Sequence, residues 1–478
     1  FIYGISIVLN SPKAVISLVR EDVMPFVLFI FLTLFPHVGF SEPSRGTLEL
    51  QMNSPGTNVL SPIPIQALNL WVNSLSQSSN LKTWDEKILK EAKSGILTID
   101  VSSHLKNSQL DFLRSHNPYA CPNESKSPIR MDWLISFSFG PNYYEALGLD
   151  MSENGQRAVS SLENLLGLKF DFKHPSWSKA LYGKGESRIT RYRRTVMKAF
   201  SPKMNSDTWV TLDQDLEDLG ESANPFEIQP QKGEKTLAAG ELIGSLPNGM
   251  PLYALITKSP EGNLILANAA PGNLVTNNFP TKDFWKSSHF LSGKGDNPAA
   301  ISNAYQCITC HRDGLVGPHR GLSLKESDIK EFLKKHGHTQ ELQHFKSLSE
   351  EDYEQGVQAN KDKLLKTLKS ANAFLSDPKN KNLNSPFIAD ITTDYTSSLT
   401  LDRIANELGT NAAVAKQALE VVDRNNSAVP VSLQGDPPSL SRGVFESFYC
   451  KIKAAVAELH QNSAPTQSMP SAPSRKTH

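Results

Sequence analysis

Apolar residues recur along this chain at two spacings, and the change between them outlines its elements. Leu68, Leu70, Trp71 and Val72, then Trp84, Ile88, Leu89 and Ala92, predict helices within residues 65–94. Residues 95–101 (GILTIDV) turn to β-branched alternation behind a glycine and predict a strand. Residues 110–114 and 131–137 read as short helical pieces. Residues 153–166 predict a longer helix, with Ala158, Leu162, Leu165 and Leu166 on one stripe. Three apolar runs then follow closely, at 242–246, 252–256 and 264–266. Pro247-Asn248-Gly249 and the SPEGN stretch ending at Asn263 separate them, and glycine accepts the positive φ such turns need, so a three-stranded meander is expected.

Helical spacing returns at 325–335, 349–375, 400–408 and 411–422. Ser349 with Asp352 reads as a capping pair, and Gly409 closes the helix before it. Residues 400–422 superficially resemble a DNA-binding helix-turn-helix. They carry no basic recognition helix, so an αα-hairpin buried in the C-terminal region is the better reading. The expected class is α+β. It comprises an upstream extension and leader (1–41), a Ser/Pro/Gly/Asn-rich linker (42–64), an α+β region (65–237), a meander with an irregular chemistry-bearing segment (238–320), a mainly helical region (321–460) and a disordered tail (461–478).

Composition narrows the function classes. Lys plus Arg and Asp plus Glu are equal at 49 each, so no global field argues for nucleic acid or anionic lipid. A local basic stretch at 179–203 is followed by acidic residues at 213–221. A docking face for an acidic redox partner is one use of it; a solvated, partly self-compensating surface is the plainer one. Residues 23–35 form an uncharged apolar run of signal-peptide length, too short for a comfortable bilayer span, with small residues at Gly39 and Ser41 before a plausible cleavage point. Met24 reads as the true start, with residues 1–23 upstream of it. The protein is therefore expected to be exported to the periplasm, and membrane association is expected only if that segment stays uncleaved. No P-loop, G-x-S-x-G, G-x-G-x-x-G or paired-carboxylate motif is present.

The most specific chemical demand is Cys307-Ile308-Thr309-Cys310-His311. C-x-x-C-H is the attachment pattern of a c-type haem: two thiols add across the porphyrin vinyl groups, and the histidine supplies an axial nitrogen to the iron. The chain has only four cysteines, which makes this coincidence informative. A thioredoxin-type motif would open a long helix, whereas Gly314, Gly317 and Pro318 interrupt one here. Structural zinc would want a fourth ligand, for which His319, His336, His338 and His344 are candidates. A plain Cys307–Cys310 disulfide is a further rival. Haem c, one per chain, is the strongest reading, with Cys307, Cys310 and His311 binding it and His311 on the metal.

The opposite iron position stays open. Met469 lies in the tail, so Met250, His319, His336, His338, His344 or no residue at all could fill it. Gly317-Pro318 could turn a carbonyl toward the proximal imidazole N–H and fix its tautomer. The remaining pair, Cys121 and Cys450, either forms a disulfide or stays as two buried thiols.

The stretches LTIDVSSHLKNSQLDFLRSHNPYA, DWLISFSFGPNYYEALGL, LIGSLPNGMPLYALI, CITCHRDGL, LTLDRIANELG and RGVFESF complete the pattern. Through them the chain resembles a family of exported bacterial c-type cytochrome-domain proteins of unassigned role, over roughly residues 65–455. The resemblance implies haem attachment at Cys307 and Cys310, iron ligation by His311, and nothing further. The expected function is one-electron transfer or redox sensing with a redox partner protein, and no nucleic acid. An enzyme whose open iron site takes a small oxidant such as peroxide, and a zinc-stabilised interaction protein, are the alternatives.

Overall fold

A computed structural model describes residues 46–52, 65–91, 95–122, 124, 127–182, 193–214, 222–228, 238–267, 269–271, 300–302, 304, 307–308, 311, 314–315, 324–373, 387–426, 429–435 and 438–463, all within the unit Gly46–His478. The expected leader, the tail from residue 464, Cys310, Gly317-Pro318, His319 and the acidic stretch from residue 215 lie outside these residues.

The chain opens with strand β1 (Thr47–Gln51) and helix α1 (Ile65–Leu75), followed by β2 (Ile96–Asp100) and α2 (Asn107–Ser115). β3 (Ile129–Arg130), α3 (Met131–Ser138), α4 (Tyr143–Ala146) and α5 (Gln156–Leu166) come next. β1 pairs antiparallel with β2 and parallel with β3, in the order β2-β1-β3. β1 corrects the reading of 42–64 as a linker throughout. Leu48 and Leu50 are buried, but an alternation this short within a Ser/Pro/Gly-rich stretch gives no periodic signal.

The central sheet has seven strands: β4 (Ser178–Tyr182), β5 (Arg193–Ser201), β6 (Ser206–Gln214), β7 (Ala238–Ser245), β8 (Pro251–Lys258), β9 (Leu264–Ala267) and, beyond a short β10–β11 pair (Ala269–Pro271, Ala300–Ser302), β12 (Lys346–Ser347). β4 to β9 are successive antiparallel neighbours, and β12 joins β4 in parallel. The expected meander is β7–β9. Its turns place Gly249 and Gly262 at φ +86°, the conformation for which glycine is suited. The described parts of the basic stretch belong to β4 and β5, while Lys184, Arg188 and Arg191 lie outside the described residues. Lys179 is 1% exposed, and Lys198 lies 3.5 Å from Asp207 and over the Trp209 ring. Charged residues at strand positions hid these two strands from a pattern-based reading.

Alternation gives the sheet two working faces. Met197, Val210, Leu242, Leu252 and Ile256 enter the main core, with Leu162 and Leu166 of α5 and Trp71 of α1. Ala180, Tyr182, Val196, Trp209, Ile243 and Tyr253 belong to a second, smaller cluster on the other face.

The C-terminal part holds α6 (Glu326–Lys335), α7 (Thr339–His344), α8 (Glu350–Ser370), α9 (Phe387–Thr396), α10 (Leu401–Glu407), α11 (Ala412–Arg424) and α12 (Arg442–Ser463), with a small β13–β14 pair (Leu399–Thr400, Ser439–Leu440). Ser349 caps α8, accepting the Asp352 N–H at 3.0 Å. α10 and α11 form the expected hairpin, and α11 packs on α12. These helices share the main core with the N-terminal elements through Ile404, Leu419 and Phe445.

Two further ties reinforce that contact. Cys121 and Cys450, left open by their spacing, form a disulfide. Glu407 sits in a buried ionic cluster, 2.5 Å from Arg130 and 2.7 Å from Arg442, while Arg130 also pairs with Asp132 at 2.6 Å. Burial pushes the Glu407 carboxyl up, but the two guanidiniums outweigh it and hold it below the ordinary glutamate range. Among the described residues no helix is long and apolar enough to cross a membrane.

Candidate functional site

The C-x-x-C-H segment begins as a turn of helix. The Ile308 N–H donates to Ala304 O at 2.7 Å and the His311 N–H to Cys307 O at 2.7 Å. Those i→i+4 bonds put Cys307 and His311 one turn apart, on the same side. The turn ends at Gly314, whose φ of +94° suits glycine and whose N–H donates to His311 O at 2.9 Å. The next N–H, of Leu315, donates to Asn360 Oδ1 at 3.1 Å, which fastens the segment to α8.

α8 and the sheet thus enclose this turn. Cys307 is 3% exposed and belongs to the smaller cluster with Tyr182, Val196, Trp209, Ile243, Tyr253, Leu315, Tyr353 and Val357. Trp209 and Tyr353 meet edge-on, with ring centroids 5.3 Å apart. A single residue makes the close fit of α8 possible: a Cβ at Gly356 would stand 2.5 Å from the Trp209 ring.

His311 is 6% exposed, and both ring nitrogens have partners. Nδ1 lies 3.3 Å from Gly314 O and Nε2 lies 3.1 Å from Glu241 Oε1, while the ring stacks on Tyr253 at 6.2 Å between centroids. A carbonyl oxygen can only accept, so the Nδ1–H donates to it and Nε2 faces the carboxylate. Glu241 comes from β7, two positions before Ile243 and on the same face. Burial pushes its carboxyl up, but His311 and then Arg194 outweigh that and hold it below the usual range. Nothing in the sequence marks Glu241, because strand alternation alone does not say which residue 70 positions away will face it.

Of the other expected participants, the described ones lie elsewhere, and Cys310 and His319 fall outside the described residues. The Met250 side chain is buried in the main core, not in the cluster around Cys307. The His336 ring lies tilted against Phe332, with centroids 4.6 Å apart, and the His338 Nε2–H donates to Ser222 O at 2.9 Å. His344 is exposed at the end of α7. The carbonyl facing Nδ1 is that of Gly314, where the chain turns back; the Gly317-Pro318 pair expected to provide one lies outside the described residues.

The residues present fit the donor chemistry of a covalent haem. A buried imidazole has Nδ1 engaged by a backbone carbonyl, which leaves Nε2, facing Glu241, as the nitrogen that would meet a metal, and a cysteine lies one turn before it among apolar and aromatic side chains. Among the described residues no group of three or more His, Cys, Asp or Glu is arranged to hold a bare metal ion. A small pocket beside His311 is lined by Ser245, Gly249, Tyr253, Asn360 and Lys363 among others. No family model matches this chain, and none of the curated proteins or solved structures compared with it is significantly similar.

Proposed function

We propose that this protein is an exported carrier of one haem c, attached through Cys307 and Cys310 with His311 Nε2 as iron ligand, and that it transfers single electrons or senses redox state. The observation that carries this reading is the setting of His311: buried, one turn from Cys307, with Nδ1 directed at Gly314 O. When bound, haem supplies reversible one-electron chemistry at iron.

The chain's own residues do the rest. Gly314 O fixes which nitrogen faces the metal, and Tyr253 holds the ring plane by stacking. Ile243, Leu315, Tyr353 and Val357 keep water from the site and lower its dielectric, which tunes a redox centre. Export is supported by the Cys121–Cys450 disulfide, since such bonds persist in oxidising compartments.

The test is the mass and reduced visible spectrum of the secreted chain, made with a haem-ligation system. One added haem is expected, and it should be lost in the Cys307→Ser/Cys310→Ser variant. A bare polypeptide mass overturns the reading.

A second reading has its own observation. Among the described candidates for the opposite iron position, Met250 turns into the main core, His338 is bonded to Ser222 O and His344 is exposed, while His319 lies outside the described residues; this is compatible with an iron position open to a small oxidant such as peroxide. A high-spin spectrum that shifts on adding cyanide would favour that enzyme. Sharp α and β bands would favour the carrier.

A further inference from the structure

We propose that Glu446 is a pH-sensitive latch between α9 and α12: in acid it lies inward against Tyr395, and at higher pH its carboxylate turns out to water and the contact loosens. The latch is independent of haem.

Its geometry is a relay of hydroxyls ending on that carboxyl. The Tyr119 and Tyr395 hydroxyls lie 2.8 Å apart, and the Tyr395 hydroxyl donates to Glu446 Oε1. Both phenols are buried. Arg442, one turn before Glu446 on α12, donates through Nε to Tyr395 O at 2.7 Å and lies 3.4 Å from the Tyr119 hydroxyl. Glu446 itself is only half-buried, so a turn of its side chain reaches water.

The charges around this junction are already matched. Among the described residues, Arg130 pairs with Asp132 and Glu407, Arg442 with Glu407, Arg403 with Asp394, and Lys453 with Glu124. Four cations thus meet four carboxylates, and an ionised Glu446 is the surplus one. Burial keeps the Tyr119, Tyr395 and Tyr449 phenols above the ordinary tyrosine range, so they stay neutral and offer no compensation. Burial likewise raises the Glu446 carboxyl, more than Tyr395, Arg442 and Arg130 lower it. An unmatched charge is better solvated in water than in the core. Its departure leaves the buried Tyr395 hydroxyl without its acceptor, which weakens the hold of α9 on α12. Cys450, one turn further along α12, stays bonded to Cys121, so the helix remains tethered and the loosening is local and reversible.

A group raised on folding stabilises below its unfolded pKa and loses that contribution as pH rises through the folded one. The latch is therefore closed on the acid side and opens with rising pH.

The experiment is hydrogen exchange on the full chain with its disulfide intact, expressed as protection factors so that the intrinsic pH dependence of exchange is removed. Protection of α9 and of the first two turns of α12 should fall with rising pH across the Glu446 titration, by up to about tenfold per pH unit, the limit for one proton. Glu446→Gln, which resembles the neutral acid, should keep its protection at every pH. Glu446→Ala, with no latch, should show low protection that is flat over the same range. A flat wild type overturns the proposal, and so does a fall that persists in either variant. Infrared spectroscopy supplies a second readout. A protonated carboxyl band that outlasts the titration of free glutamate is expected in the wild type and should be missing from both variants. A band unchanged by them overturns the assignment to Glu446.

Discussion

Cys121 and Cys450 are 329 positions apart in sequence, yet their Cα atoms are 5.4 Å apart and their sulfurs are bonded. The bond joins the segment after α2 to α12, where Tyr119 and Tyr449 also meet edge-on at 4.8 Å. A cross-link closing so long a loop acts mainly by restricting the unfolded chain. Cys121→Ser/Cys450→Ser should lower unfolding free energy by about 2–5 kcal/mol, read from denaturant titration. A double variant as stable as the parent would show that the bond adds nothing.

Glu407 is the one carboxylate shared by Arg130 and Arg442. Replacing it with Leu leaves two buried guanidiniums without the carboxylate they share, Asp132 remaining paired with Arg130. We expect a loss of about 3–5 kcal/mol, the scale of breaking a buried ion pair from one side. Chemical denaturation should register it, and a change below about 1 kcal/mol would contradict the pairing described here.

The same residue sets a pH dependence. Its carboxyl is held below the ordinary glutamate value of 4.5 in the folded protein. A group depressed on folding stabilises above its unfolded pKa and loses that contribution as pH falls through the folded one. Stability should thus fall off on the acid side of 4.5, and Glu407→Gln should flatten that limb. Glu446 works in the opposite sense, because burial raises its carboxyl more than the Tyr395 hydroxyl and the nearby arginines lower it. Unfolding free energy measured against pH for each variant separates the two.

Gly356 lies under the Trp209 indole, where an added Cβ would be 2.5 Å from the ring. Alanine is the better helix former, yet Gly356→Ala should destabilise by about 1–3 kcal/mol, because overpacking outweighs propensity here. A more stable variant would mean that α8 does not press on the sheet at this point.

His311→Ala separates attachment from ligation. With both thiols intact the secreted chain should still carry its haem mass, while the low-spin bands fade as the axial nitrogen is lost. Unchanged bands would show that another residue ligates the iron on that side.

Local pattern accounts for much of the fold. The stripe of Leu162, Leu165 and Leu166, the Ser349 cap and the glycine turns of β7–β9 depend on neighbours within a few residues, so sequence carries them. β4 and β5 carry charged residues that interrupt apolar alternation, and Lys198 finds its partners, Asp207 and Trp209, on the neighbouring strand β6 rather than within its own run.

By itself the sequence determined the α+β class, most helices and the meander, and it raised the expectation of haem chemistry at Cys307, Cys310 and His311. All of these are set by spacing along the chain. Only the tertiary structure decided that Cys121 meets Cys450, that Met250 turns away from Cys307, and that Glu241 faces His311 across 70 residues. Those pairings follow from strand order and sheet face, which depend on how the whole chain buries its apolar surface rather than on any local run of residues.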